Sequence, residues 1–162
     1  MRSTVSIIAV WLAVGALVFW AFSQFFATQY TPKMSISQQG NEVVSDRARD
    51  GHYRLNGAIN GEPVVLLLDT GATTMAISEA LAERLNLTRG ESFITQTANG
   101  EVTAYQANLQ QLDFGPFSFQ HVNVAVVPRL GEEILLGMNI IRQFNIRIEG
   151  EQMHLQLIAK AN

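Results

Sequence analysis

The 162-residue chain contains no cysteine, which excludes disulfide frameworks, thiolate metal sites and cysteine nucleophiles. Charge is scarce as well: Asp, Glu, Lys and Arg supply 15% of the residues, against about 25% in an average soluble chain. With a formal net charge of -3 there is no basic field of the kind that drives phosphate-backbone binding, so a nucleic-acid partner is not expected. His52, His121 and His154 have no ligand spacing, and HExxH, GxSxG, P-loop and GxGxxG patterns are missing. Metal, serine-hydrolase and nucleotide chemistry therefore lack support, and no cofactor is expected. The length suits one core of ordinary size.

What is present begins at the N-terminus. Val5 to Phe26 reads VSIIAVWLAVGALVFWAFSQFF, uncharged and long enough to cross about 30 Å of hydrocarbon as a helix. Cleaved signal peptides have a shorter apolar region and a small-residue cleavage site, and the nearest such triplet, Ala21, Phe22 and Ser23, lies inside the run. The reading is a transmembrane anchor over 5–26 that places the chain in the lipid bilayer. Arg2 and the amino terminus precede it while only Lys33 follows closely. By the positive-inside rule the chain is a single-pass protein of the inner (plasma) membrane, N-terminus cytoplasmic and the remainder periplasmic or otherwise extracytoplasmic. Residues 27–50 are polar, mixed in charge and without a sustained period of 2 or 3.6, and read as a flexible tether.

From Gly51 to Ile158 the signals are short strands and tight turns. Tyr53 to Ile59 and Pro63 to Leu68 flank Asn60 and Gly61, and an Asn-Gly pair between strand-like runs is a strong sign of a type I′ hairpin. Asn99 and Gly100 repeat the signal between 93–98 and 101–107. Further pairs are 109–114 with 117–127, and 145–149 with 153–158. One segment reads as helix, with Ser78 as cap, Glu79 in the first turn and Leu81, Ala82 and Leu85 on one face; a second short helix is expected at 139–143. The fold class is all-β, a closed or nearly closed β barrel with one or two short helices.

Two places carry chemistry. The apolar run Val64 to Leu68 ends at Asp69, Thr70, Gly71 and Ala72, so a carboxylate is delivered from a buried strand into a turn. Such an acid is either solvated in a cleft, paired, or the start of an ordinary Asx turn. A second apolar strand, Ile134 to Leu136, stops at Gly137 and passes into Met138, Asn139, Ile140 and Ile141. In order, GHYRLNGAINGEPVVLLLDTGAT (51–73), TANG (97–100) and LLGMNII (135–141) resemble the retropepsin-like aspartic proteases, and within them the membrane-anchored bacterial proteins related to retroviral protease. The resemblance spans Gly51 to about Leu157, and the three ordered motifs are specific in combination.

That resemblance implies an aspartic endopeptidase acting on an extended polypeptide. The chemistry needs two carboxylates sharing one proton, and the chain has one Asp-Thr-Gly; Asp50 and Asp113 lack the Thr and the preceding apolar strand and read as turn acids. The resemblance therefore implies a homodimer in which each chain gives Asp69. It also implies that Thr70 bonds across the two-fold, that Gly71 and Ala72 complete the active-site turn, and that Ala98, Asn99 and Gly100 form a flap. Leu136 and Gly137 would lie under the turn, where a side chain at 137 would crowd Asp69. Met153, Leu155 and Leu157 suit either an intersubunit sheet or plain core. Some members carry Ser or Thr where this chain has Ala72, which implies a pH optimum nearer weakly acidic. The rival reading keeps the fold but makes it a catalytically silent peptide-binding or assembly module.

Overall fold

The computed structural model describes residues 2–29, 32–37, 40–97, 100–131 and 133–158. The chain divides into two units, Met1–Thr31 and Pro32–Asn162. The first is helix α1, Arg2–Gln29. Its span Ser6–Gln24 is long and apolar enough to cross a membrane, a property that an anchor and a signal sequence share.

The second unit is mostly strand. In chain order it contains β1 (Met34–Ile36), β2 (Glu42–Asp46), β3 (Arg54–Ile59), β4 (Glu62–Leu68), β5 (Met75–Ser78), α2 (Glu79–Arg84), β6 (Ser92–Thr97), β7 (Gly100–Phe114), β8 (Phe117–Val127), β9 (Ile134–Leu136), α3 (Met138–Ile141), β10 (Phe144–Glu149) and β11 (Gln152–Leu157). The β3–β4 turn has both central residues in the left-handed region, Asn60 at φ 51° and Gly61 at φ 85°, as the Asn-Gly pair predicts for a type I′ hairpin. Ser78 caps α2, its Oγ accepting the Leu81 N–H at 3.3 Å, and Leu81 and Ala82 turn inward. Such a cap is worth about 1 kcal/mol.

Seven strands form one sheet in the order β3-β4-β9-β5-β8-β7-β6, and β3 returns to pair with β7 through Gly57↔Phe114, Ala58↔Asp113 and Ile59↔Leu112. This closes a barrel, with β6 attached to the outside of β7. Gly57 makes the closure possible, because a Cβ there would stand 2.6 Å from the Asp113 carbonyl oxygen. Two of the ladders are parallel, β4 with β9 and β5 with β8. Inside the barrel lie Leu55, Ile59, Leu66, Met75, Ile77, Leu109, Leu112 and Leu136, fully buried. Phe114, Phe117, Phe119 and Phe144 pack at one end with ring centroids 4.9–5.9 Å apart, within the range where aromatic pairs attract.

The second sheet, β1-β2-β11-β10, corrects the reading of 27–50 as a tether. β1 and β2 lie inside that stretch, and β2 pairs with β11 from Asp46↔Gln152 to Glu42↔Gln156. Val43 and Ser45 are fully buried, and Ser45 Oγ donates to the Arg54 carbonyl at 2.8 Å. The strands are short and one inward position is a serine, so no apolar alternation marks them; the register comes from β11, more than a hundred residues away. Residues 101–107 and 109–114, read as separate strands, are one strand, β7. Met153 and Leu155 of β11 belong to the core, while Leu157 is exposed.

Candidate active site

β4 buries Leu66 and Leu67 and then releases Asp69 into a turn. The turn is held mainly by backbone. The Asp69 N–H donates to the Leu136 carbonyl at 3.1 Å and the Ala72 N–H to the Asp69 carbonyl at 3.3 Å. The Gly71 N–H donates to Asp69 Oδ1 at 2.8 Å, orienting the carboxylate. A Cβ at position 71 would come within 3.1 Å of that same oxygen, so glycine leaves the acid room. Asp69 is half-buried, while Thr70 and Gly71 are exposed.

β9 runs parallel beside β4, with Leu68 opposite Leu136, and brings the second motif under the first. Where β9 ends, α3 begins, and its first two N–H groups donate to the turn: Met138 to the Ala72 carbonyl at 2.8 Å and Asn139 to the Thr73 carbonyl at 3.1 Å. Gly137 is essential to this contact, but for a different neighbour than expected. The nearest atoms that a Cβ at 137 would meet are those of the Thr74–Met75 peptide, at 2.5–2.7 Å.

Asn139 is a residue that sequence reasoning missed. Its Oδ1 accepts the Met75 N–H at 2.8 Å and its Nδ2 donates to the Asn123 carbonyl at 3.0 Å, tying the end of the turn to β5 and β8. An isolated amide at the start of an apolar helix was the available signal.

The structure thus gathers Asp69, Thr70, Gly71, Ala72, Leu136 and Gly137. Of the expected flap, Ala98 and Asn99 lie outside the described residues. Gly100 opens β7 opposite Thr97, whose Oγ1 donates to its carbonyl at 2.8 Å. Behind Leu135 a second apolar cluster contains buried Ala76, Ala104, Ala125 and Val127, with Phe93, Val102, Leu130 and Leu135 partly buried against them.

The other two acids are engaged elsewhere. Asp50 pairs with Arg54 at 2.7 Å; the hydrogen bond from Arg54, aided by the His52 N–H, lowers its carboxyl to about 2 against an opposing effect of burial. Gln111 and the Ser118 hydroxyl hold the Asp113 carboxyl below its ordinary value. Among the described residues no salt bridge reaches Asp69, and no group of three His, Cys, Asp or Glu side chains could hold a metal.

Residues 55–143 match the family model described as "gag-polyprotein putative aspartyl protease". A solved structure, a retropepsin-like aspartic protease from Rickettsia conorii, superposes with TM-score 0.60 and 27% identity, covering 79% of this chain and 96% of that one. Among curated proteins, an uncharacterised Sinorhizobium protein is 29% identical over 109 residues, 65% of this chain and 47% of its own length. An uncharacterised protein of Rickettsia prowazekii is 24% identical over 149 residues, 85% of this chain and 64% of its own length. The chain thus spans from under half to under two thirds of these curated relatives. The family match takes in the Asp69 turn, β9 and α3, and with the barrel it settles the assignment: the chain belongs to the retropepsin-like aspartyl protease family.

Proposed function

We propose that the protein is a membrane-anchored aspartic endopeptidase, active as a homodimer, in which the Asp69 carboxylates of two chains hold one water. One carboxylate takes a proton from the water as it attacks the scissile carbonyl, and the other, protonated, gives its proton to the carbonyl oxygen. The resulting diol collapses as a proton passes to the leaving nitrogen. Two carboxylates in close contact repel each other, so the pair holds one proton between them. The observation that carries this reading is the Asp69 turn, which backbone bonds fix from below, with no salt bridge to its acid among the described residues.

A single chain supplies one such acid. The outer edge of β10 is unpaired among the described residues, and Ile148 on it is 59% exposed, which supports association with a second copy. Thr70, exposed in one chain, would bond across the two-fold. The β6–β7 hairpin would close on an extended substrate by strand addition. Arg2 and the amino terminus before the apolar helix, with only Lys33 close after it, support an N-terminus in the cytoplasm, and confinement to a bilayer raises the effective concentration of protomers.

The test is cleavage of an unfolded protein mixture by the full chain in detergent, read by mass spectrometry from pH 4 to 7.5, beside Asp69→Asn. Cutting by the wild type alone supports the proposal. A dimer that cuts nothing favours the silent binding module.

A further inference from the structure

The connection from β8 to β9 carries Pro128 to Gly131 and Glu133, and leads to Leu136, the residue that receives the Asp69 N–H. Arg129 there lies at φ 59° and Gly131 at φ 81°. A non-glycine residue in this region is uncommon, so contacts rather than backbone preference hold the connection in place. Two contacts point in different directions. Leu130 packs with Phe93 of β6, Val102 of β7 and Leu135 onto the alanine-rich cluster. Glu133 reaches the guanidinium of Arg54, Oε1 to Nη2 at 2.9 Å, while Asp50 takes the same guanidinium at 2.7 and 3.0 Å. The Arg54 side chain is only 5% exposed although Glu133 is 53% exposed. A buried cation depends on its carboxylates far more than a surface one does.

We infer that Arg54 is a positioning residue for substrate: by holding Glu133 it sets where Leu130 stands against the β6–β7 hairpin, beside the Asp69 turn. This inference rests on the proteolytic reading of the site. Leu130, Leu135, Phe93 and Val102 are the partly open portion of the apolar cluster, and they come from the β6–β7 hairpin and from the 130–135 segment that leads to Leu136. Arg54 therefore governs how tightly a substrate side chain is gripped, and leaves the bond-breaking step to the Asp69 pair.

The experiment uses Glu133→Gln in the full chain in detergent, with a peptide taken from the mapped cleavage sites. KM should rise roughly three- to tenfold with kcat within about twofold. Glu62→Gln, which cuts the exposed Arg84–Glu62 pair at 2.8 Å, should move neither. An unchanged KM, or a fall confined to kcat, overturns the inference. Should the wild type cut nothing, the proteolytic reading fails by itself, and hydrogen exchange then decides the mechanical claim. Amides at 134–136, in the β9 ladder, should exchange faster in Glu133→Gln than in wild type or Glu62→Gln, and equal exchange refutes it.

Discussion

Asp50 and Asp69 are both acids in turns beside a glycine, and their surroundings divide them. Asp50 is closed off by the buried Arg54, and its carboxyl is pulled down to about 2. The Asp69 turn is stitched from below by Leu136, Met138 and Asn139, and its carboxylate receives one backbone N–H. On the proposed reading the contrast is between a structural acid and a chemical one: a cation that uses up the carboxylate, or a backbone frame that fixes it and leaves it available.

Substitution of the two acids should separate them most sharply. Asp69→Asn should cut peptide hydrolysis by at least about a thousandfold with little change in melting temperature, since Asn retains an oxygen for the Gly71 N–H. Asp50→Asn should do the reverse, leaving turnover intact and lowering unfolding free energy at neutral pH by about 1 to 2 kcal/mol, allowing for its partial exposure. The sign follows from its lowered carboxyl, at about 2 when folded against 3.8 ordinarily. The stabilisation is complete above about pH 5 and is lost as the pH falls toward 2. Denaturant titrations of wild type and Asp50→Asn should therefore differ at pH 6 and converge near pH 2.

The frame itself can be broken from beneath. Gly137→Ala places a methyl against the Thr74–Met75 peptide at 2.5 Å and should cost roughly 2 to 4 kcal/mol in denaturant unfolding. Asn139→Asp keeps the acceptor for the Met75 N–H and loses the donor to Asn123, so a smaller loss of about 1 kcal/mol is expected. The smallest effect is at Ala72. Ala72→Thr would set a hydroxyl by the acid pair, and the pH optimum of cleavage should move down by roughly half a unit; an unmoved optimum would reject that role.

Much of this site was legible in the residues. Asp-Thr-Gly after an apolar run, and Gly before a short apolar helix, are local patterns, and the turn at Asn60 and Gly61 is set by its own two residues. What escaped reading is what depends on distant partners. β2 shows no apolar alternation, because Ser45 occupies an inward position and bonds to the Arg54 carbonyl. The closure of β3 on β7, and the parallel ladders that lay β9 beside β4, join segments dozens of residues apart. The sequence marks Gly137 as lying under the turn, and the fold adds that its nearest neighbour is the Thr74–Met75 peptide.

The claim that each active unit needs two Asp69 residues is tested most directly by mixing chains. Wild type and Asp69→Asn, coexpressed in equal amounts in one membrane at constant total protein, should give about a quarter of the all-wild-type activity, the share of pairs with both acids intact. Half the activity would mean that each chain works alone, and would contradict the account.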